Sequence, residues 1–368
     1  MTAPWFETRL PTILSNYSLA DIYNADEFGL FYQALPSKTM HFKDEKCVGG
    51  KFSKQRLTGL AAGNALGQKL SMFIIGKANK PRCFKNLKHL PCRYRGQKKS
   101  WMDSDLFEEW VREQDRKFEC ENRKILLIVD NCPAHPQIGG LKAIEMCFLP
   151  PNTTSITQPM EQGVIRSLKA KYRSRMIQQI IKAIDAKKSI PKVNVLDAMK
   201  MLTICWENVT EETVKKCFAK SHISPQDQTS AQDDLDDPFI ELRNDLEKLK
   251  SLGVDEYPEE VSPEEFASFD DTVAATEPVL SDESILAMVR EIEEPIEVED
   301  DEEDGSDEDI SLEKPTSIQL RSAIETLLDF SFFTESDEVQ RCTLEVSKLI
   351  EKELSQSLKQ ASIKDYFS

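Results

Sequence analysis

Charge divides this chain into two parts of opposite sign, and only one of them has the composition of a folded domain. Residues 1–224 contain 36 lysine and arginine residues against 22 aspartate and glutamate residues, whereas residues 225–368 contain 11 against 42. Residues 255–313 repel themselves and have too few apolar side chains for a core, so we expect disorder there. The folded domain is therefore predicted in the first part, whose positive charge favours a polyanionic partner.

Hydropathy argues against a membrane-spanning protein, and cysteine usage argues against a disulfide-stabilised one. No run of about 18 apolar residues occurs and the N-terminus does not resemble a signal peptide, so we expect a soluble intracellular protein with no membrane partner. The nine cysteines are odd in number and scattered among apolar neighbours, which is typical of reduced core residues. Cys83, His89 and Cys92 are only three candidate ligands without paired short spacings, so they do not predict a zinc site.

Short apolar runs alternate with helical patterns in the first half of the chain. We predict strands at residues 20–25, 57–66, 70–75, 125–130 and 144–149, the last two buried because they lack alternation. Ser104 is a candidate N-cap for a helix to about Glu121, and apolar residues recur at helical spacing from Ile165 to about Ala186. Further helices are predicted at 195–206 and 211–218. Strands alternating with helices indicate an α/β domain.

The boundaries follow from these patterns and from composition. We expect a short leader (1–18), an α/β domain (19–190), a helical extension (191–224), an acidic, largely disordered linker (225–316), a helical hairpin (317–358) and a short C-terminal tail (359–368).

Three acidic residues stand at the edges of the predicted elements. Asp130 follows the apolar strand that begins after Lys124, and α/β sheets place their ligand crevices at such strand ends. Asp26 likewise follows a predicted strand. Glu161 begins the long helix and shares a face with Ile165 and Leu168, so its carboxylate is expected to point toward the core.

Carboxylates turned inward need partners, and a hard divalent cation is a natural one. Two such ions roughly 3.5–4 Å apart stabilise both the attacking and the leaving oxygens of a phosphodiester displacement. Each acid also has an alternative interpretation: an Asp after a strand is often a turn former, and a Glu in a first helical turn complements the helix dipole.

Several long motifs resemble those of pogo/Tigger transposases and their domesticated descendants, the centromere protein B-like family with a DDE superfamily endonuclease domain. The three catalytic blocks of that family are matched by Tyr23-Asn-Ala-Asp-Glu-Phe-Gly-Leu-Phe-Tyr32, Leu126-Leu-Ile-Val-Asp-Asn-Cys-Pro-Ala-His-Pro136 and Pro150-Pro-Asn-Thr-Thr-Ser-Ile-Thr-Gln-Pro-Met-Glu-Gln-Gly-Val-Ile165. Residues 75–84 and 206–218 resemble the family as well, so the resemblance covers roughly residues 20–223.

The resemblance implies a ribonuclease H-like mixed sheet flanked by helices, which cuts and joins DNA with two Mg²⁺ or Mn²⁺ ions. The residues that match the metal ligands and catalytic acids of the family are Asp26, Asp130 and Glu161. It also implies a nuclear protein.

The chain departs from the family pattern at three points. The third acid of the family is usually Asp, but here it is Glu161, as in related mariner-like enzymes. The position after Glu27 is usually Thr, but here it is Phe28. Family members begin with tandem helix-turn-helix domains, for which the residues before the first strand leave no room, so we expect neither sequence-specific binding of the family's kind nor autonomous transposition.

A basic segment is the candidate DNA-binding surface. Lys77 to Trp101 contains nine basic residues and no acids, with aromatic residues interleaved, which suits phosphate neutralisation and stacking. Part of the long helix adds to it. The candidate residues are Lys77, Lys80, Arg82, Lys85, Lys88, Arg93, Arg95, Lys98, Lys99, Arg166, Lys169 and Arg173. The alternative is a solvated basic loop. We expect salt-sensitive, sequence-tolerant DNA binding by residues 1–224.

The acidic part of the chain carries three further hypotheses. The C-terminal residues resemble the peptide by which replication proteins dock on the sliding clamp, the proliferating cell nuclear antigen, with Gln360, Ile363, Tyr366 and Phe367 as anchors; the alternative is a frayed amphipathic end. Residues 255–313 are predicted to fold back on the basic surface as a DNA mimic. Ser281 and Ser306, each followed by acids, suit an acid-directed kinase.

Three functions are compatible with these patterns. The first is a transposase-derived nuclear DNA-binding protein with metal-dependent phosphodiester chemistry. The second is a catalytically silent scaffold that links chromatin or the clamp to partners. The third, an ordinary nuclease of the same fold, is disfavoured because the motifs resemble transposases throughout.

Overall fold

The computed structural model of the protein describes residues 10–34, 55–150, 157–190, 192–224, 237–252, 262–271 and 275–276, with a few isolated positions elsewhere. The chain divides into two compact units, Met1–Asp301 and Glu302–Ser368. All the elements below belong to the first unit. The predicted hairpin at 317–358 falls almost entirely outside the described residues and the tail at 359–368 wholly outside them, so both stay predictions.

Six strands form one mixed sheet in the order β4-β3-β2-β1-β5-β6. The strands are β1 (Ile22–Phe31), β2 (Arg56–Asn64), β3 (Phe73–Gly76), β4 (Arg93–Gly96), β5 (Ile125–Val129) and β6 (Ile144–Phe148). β1, β2 and β3 pair antiparallel, β5 and β6 continue in parallel from the other side of β1, and β4 pairs parallel with β3. The predicted mixed sheet flanked by helices is confirmed. β4 was not predicted because it is short and basic.

Helices cover both faces of the sheet. They are α1 (Leu10–Leu14), α2 (Ser104–Cys120), α3 (Ile165–Asp185), α4 (Val195–Asn208), α5 (Glu211–Lys220), α6 (Ile240–Ser251) and α7 (Pro263–Ser268). One buried cluster packs Phe107 and Trp110 of α2 against one face of the sheet. A second cluster packs the opposite face against α3, α4 and α5, with Leu168, Trp206 and Phe218 among its members. None of the helices in the described part of the chain is both long and apolar enough to cross a bilayer.

The strands alternate between these two clusters as a pleated sheet requires. In β1, Tyr23 and Ala25 face α2, whereas Phe28 and Leu30 face α3. Every residue of β5 is buried, which confirms the prediction of a buried strand for β5. The same prediction is wrong for β6, which is an edge strand with an exposed Glu145.

The start of α2 corrects one detail of the sequence analysis. Its N-cap is Asp103 rather than Ser104, because the Asp103 carboxylate accepts a hydrogen bond from the Leu106 backbone N–H at 2.9 Å. Ser104 is the first helical residue. Asp is as good an N-cap as Ser, so both residues satisfied the sequence rule.

Part of the segment predicted to be disordered belongs to the fold. α6 and α7 pack on the side of α3 that faces away from the sheet, where Leu242, Leu246 and Phe266 bury apolar surface against Ile177 and Ile181. The expectation of a disordered linker from 225 to 316 is therefore wrong for residues 237–252 and 262–271. These residues were missed because the segment is acidic overall, although its few apolar side chains pack against α3, which is distant in the sequence.

Candidate active site

Asp26 lies in the middle of β1, not at its end as the sequence suggested. β1 continues to Phe31, and Asp26 pairs with Ala61 of β2. On its other side β1 pairs with β5 only from Ile22 to Asn24, and Asn24 lies opposite Ile128. When this register is extended by two residues, Asp26 of β1 lies opposite Asp130, which directly follows β5. The two parallel strands therefore bring these two acids side by side.

The Asp26 carboxylate is buried and incompletely bonded. Its residue is 6% exposed, and its Oδ2 atom has no hydrogen-bond partner among the residues that the structure describes. Burial, followed by the negative charges of Glu161, Glu27 and Asp130, raises the pKa of Asp26 well above its usual range. A buried carboxylate oxygen without a donor is costly unless a proton or cation binds it.

Asp130 follows β5 and is held by a histidine from the loop after it. His135 Nδ1 lies 2.6 Å from Asp130 Oδ1, and the same nitrogen lies 3.3 Å from the Asp130 backbone oxygen. Burial alone would raise the pKa of Asp130, but the hydrogen bond and positive charge of His135 lower it below its usual value. Asp130 is therefore ionised at neutral pH.

Glu161 lies in a wide turn that precedes α3 and extends from Met160 to Val164. Gly163 in this turn has a φ of 147°, and a Cβ atom there would lie 3.3 Å from Cys217 Sγ, so the position favours glycine. The turn breaks the helical register between Glu161 and Ile165. Glu161 is consequently exposed, and the expectation that it shares the core-facing side of α3 is wrong.

The three acids nevertheless belong to one electrostatic cluster. Partial desolvation, followed by the charges of Asp130 and Asp271, raises the pKa of Glu161. Since the charge of Glu161 also raises the pKa of Asp26, each acid acts on at least one of the others. The structure thus brings Asp26, Asp130 and Glu161 together, and their catalytic and metal-binding roles stay a prediction.

Two buried amide side chains fix the turn that carries Glu161. Asn24 Oδ1 accepts a hydrogen bond from the Met160 backbone N–H, and Asn24 Nδ2 donates to the Ile128 carbonyl, both at 2.9 Å. Gln158 Nε2 donates to the Ala25 carbonyl at 3.4 Å. The sequence analysis did not predict these hydrogen bonds, although an Asn inside an apolar strand indicates a buried hydrogen bond.

Glu27 is a fourth acid that the sequence analysis did not assign to the site. Its two carboxylate oxygens lie 3.1 and 3.2 Å from His135 Nε2. Burial alone would lower the pKa of His135, but Glu27 and Asp130 raise it far above its usual value. The imidazole is therefore protonated and donates from both nitrogens.

Among the described residues, Asp130, Cys132 and His135 are the one group whose ligand atoms all lie within 4.8 Å of one another, so Asp26, Asp130 and Glu161 are not placed as closely as that. However, both ring nitrogens of His135 already face carboxylates, so no lone pair is left for a metal. Asp26, Asp130 and Glu161 instead offer hard oxygens, including the unpartnered Oδ2 of Asp26.

Seven of the predicted DNA-binding side chains are exposed on the segment around β4. These are Lys77, Lys80, Arg82, Lys85, Lys88, Lys98 and Lys99. Within the described part of the chain, none of them forms an ion pair with an acid. The Lys99 ammonium lies 4.8 Å from the centre of the Trp101 ring. β4 is three strands from β1, or about 14 Å at the usual strand spacing.

The remaining five candidates are engaged within the protein. Arg93 pairs with Glu109 and Glu113 of α2, and the exposed Arg95 also pairs with Glu109. The exposed Arg166 lies over the Phe239 ring, with 4.6 Å between its guanidinium carbon and the ring centre.

Two basic residues of α3 do not face solvent, contrary to the sequence analysis. Arg173 is fully buried and pairs with Asp270, and the buried Lys169 pairs with Asp271 at 2.6 Å. Both acids lie in the turn that follows α7, so this turn withdraws the two cations from any DNA surface. The amphipathic pattern of α3 alone did not reveal that a second layer covers its outer side.

Other predicted sites lie outside the described residues or do not assemble. The clamp-docking anchors Gln360, Ile363, Tyr366 and Phe367, and the serines 281 and 306, lie outside the described residues. Cys83, His89 and Cys92 do not form a group of ligands in the part that the structure describes. Burial raises the pKa of the Cys92 thiol to about 11.

Comparison with known proteins finds transposase-derived relatives of this chain. Residues 54–218 match the family described as DDE superfamily endonuclease, a range that begins after Asp26. The chain is 34% identical over 331 residues to mouse Tigger transposable element-derived protein 4, covering 89% of this chain and 63% of that protein. It is 26% identical over 221 residues to the human major centromere autoantigen B, covering 58% of this chain and 35% of that protein.

The chain thus spans less than two thirds of the length of these relatives. Among solved structures, the Mos1 mariner paired end complex with Mn is similar over 59% of this chain and 58% of that chain, at 10% sequence identity and a TM-score of 0.34.

Proposed function

We propose that this chain is a nuclear DNA-binding protein with metal-dependent phosphodiester chemistry, supported by the match of residues 54–218 to the DDE superfamily endonuclease family and by its similarity to Tigger transposable element-derived protein 4. Asp26, Asp130 and Glu161 are its metal ligands and catalytic acids. The observation that carries the proposal is the convergence of these three acids, one of which keeps a buried oxygen without a hydrogen-bond donor.

The protein supplies the site for two Mg²⁺ or Mn²⁺ ions. When bound, the ions would stabilise the attacking and leaving oxygens of cleavage and strand joining. β1 holds Asp26, Asp130 follows β5 directly, and the glycine-containing turn presents Glu161 on the solvent side. One buried acid, one acid at a strand end and one accessible acid leave the site open to a DNA strand.

A cleavage and joining assay tests the chemistry. The full chain is incubated with Mn²⁺ and DNA carrying preformed ends, and Asp130→Asn is compared with the parent protein. We expect products from the parent and only background from the variant, because the amide loses the negative charge that binds the cation. A parent protein that folds and binds DNA but yields no product would instead support the catalytically silent scaffold.

DNA binding is proposed to use the seven exposed basic residues around β4. The double variant Lys85→Glu with Lys88→Glu is expected to weaken binding to any duplex sequence and to reduce the salt dependence of log K by about 2 or more. The matched control, Lys182→Glu with Lys188→Glu, changes the net charge equally at two exposed positions near the end of α3. Equal losses in fluorescence anisotropy titrations with both variants would show that no particular surface binds DNA.

Clamp docking remains a separate proposal for the C-terminal tail. A peptide of residues 355–368 is expected to bind the proliferating cell nuclear antigen through Gln360, Ile363, Tyr366 and Phe367. Isothermal titration calorimetry measures this directly. A peptide with Tyr366→Ala and Phe367→Ala is the control, and equal binding by both peptides, or none by either, would contradict the proposal.

A further inference from the structure

His135 connects a proposed metal ligand with an acid from another strand. Its side chain is fully buried, and its ring packs on Phe107 of α2 with 4.1 Å between the ring centres. One ring nitrogen lies 2.6 Å from the Asp130 carboxylate, and the other lies 3.1 Å from that of Glu27. The ring is therefore fixed on both edges and on one face.

Glu27 does not share the position of the proposed ligands. It follows Asp26 on β1, and successive side chains of a strand point to opposite faces of the sheet. Glu27 therefore points toward α2, whereas Asp26 points toward α3. Both oxygens of Glu27 face the imidazole, so His135 is the side chain that links Glu27 to Asp130.

The consequence for Asp130 is a restricted carboxylate. Asp130 comes after the last residue of β5, where sheet hydrogen bonds no longer fix the chain. The contact of Nδ1 with Oδ1 is an ion pair without hydrogen-bond geometry, and together with the bond from Nδ1 to the Asp130 backbone oxygen it limits rotation of the side chain. Ligands that are fixed by such outer partners bind metals better, because less freedom is lost on binding.

We propose that His135 and Glu27 are positioning residues, which together orient the Asp130 carboxylate toward the cation shared with Asp26 and Glu161. This inference rests on the metal site proposed above. The competing role is purely structural: the His135 backbone N–H also closes a turn by donating to the Cys132 carbonyl at 3.0 Å. A structural role predicts lower stability of the variants but no specific change in metal affinity.

Calorimetric titration of Mn²⁺ into the full chain distinguishes the two roles. Glu27→Gln retains the size and an acceptor oxygen but removes the charge, and His135→Asn removes the bridge. We expect each to weaken Mn²⁺ binding by about tenfold or more, as loss of an outer partner of a ligand typically does. The matched control, Asp115→Asn, removes a buried carboxylate at the opposite end of β5 and β6 and should leave the Mn²⁺ affinity unchanged.

The double variant provides the sharper test. If Glu27 acts on the site only through His135, Glu27→Gln has almost no effect once His135 is replaced by Asn. The double variant should then bind Mn²⁺ with the affinity of His135→Asn alone. Multiplied losses would show that Glu27 acts on the cation by itself and would overturn the proposal. Unchanged affinity in folded single variants would overturn it as well, whereas failure of the parent protein to bind Mn²⁺ would overturn the metal site itself.

Discussion

Replacing Asp270 by alanine tests whether residues 262–271 are an integral part of the domain. The fully buried Asp270 carboxylate pairs with the fully buried Arg173 and accepts a hydrogen bond from the Phe31 backbone N–H at 3.1 Å. Arg173 also donates to the Phe31 carbonyl at 3.0 Å, so the pair ties α3 and the turn after α7 to the end of β1. Removing one partner of a buried ion pair costs about 3–5 kcal/mol, because the other charge is left unpaired.

We therefore expect Asp270→Ala to lower the free energy of unfolding by about 3–5 kcal/mol in urea titrations of the full chain. Asp270→Asn should cost less, because the amide oxygen still accepts from Phe31. Adding Arg173→Met to Asp270→Ala should recover part of the loss, since no buried charge then remains.

The matched control is Glu264→Ala in α7, the helix that precedes Asp270. Glu264 pairs with Arg243 at 3.3 Å, with side-chain exposures of 40% and 42%, and such exposed pairs contribute less than about 1 kcal/mol. A loss for Asp270→Ala no larger than the control's would refute the inclusion of residues 262–271 in the folded domain.

Three further predictions concern the sheet and the turn before α3. Asp115 accepts hydrogen bonds from three backbone N–H groups at the start of β6. Burial opposes ionisation there, but those bonds lower its pKa; its stabilisation is therefore complete above the ordinary pKa of about 4 and is lost as pH falls through the folded value. Asp115→Asn should consequently cost about 1–2 kcal/mol at neutral pH and less in acid, measured by urea unfolding at several pH values; a cost independent of pH would contradict this. Gly163→Ala should lower stability by about 1–3 kcal/mol in the same assay, because alanine is strained at a φ of 147°, and an unchanged midpoint would contradict the assigned backbone. A Cβ at Gly59 would lie 2.4 Å from the Phe28 ring, so Gly59→Ala should lower the melting temperature. The decrease should be smaller in a protein that also carries Phe28→Thr, and equal decreases with and without Phe28→Thr would exclude that contact.

Much of the sheet was predictable from local patterns. The run from Ile125 to Val129 is apolar without alternation, and the structure buries all of it. The departure at Phe28 is explained only by the pairing of strands, because its ring lies over Gly59 on the neighbouring strand. β4 was missed because its pairing partner, rather than its own composition, makes it a strand.

The candidate site was predicted residue by residue, but its arrangement was not. Asp26, Asp130 and Glu161 were identified through motifs, whereas the role of Glu27 depends on a histidine 108 residues away in the sequence. Likewise, the amphipathic pattern of α3 placed Lys169 and Arg173 on a polar face. It could not show that this face is covered by acids from the turn after α7.

Local patterns identified the class of domain, the positions of most strands and helices, and the three acids, because hydrophobic spacing and long motifs are properties of short stretches of the chain. Which charges meet depends instead on contacts made in the folded domain. The register of β1 with β5, the turn at Gly163 and the packing of α7 on α3 join residues that are distant in the chain. Burial and pairing of charges such as Arg173 and Asp270 depend on these contacts, so they follow from the fold and not from the residue types alone.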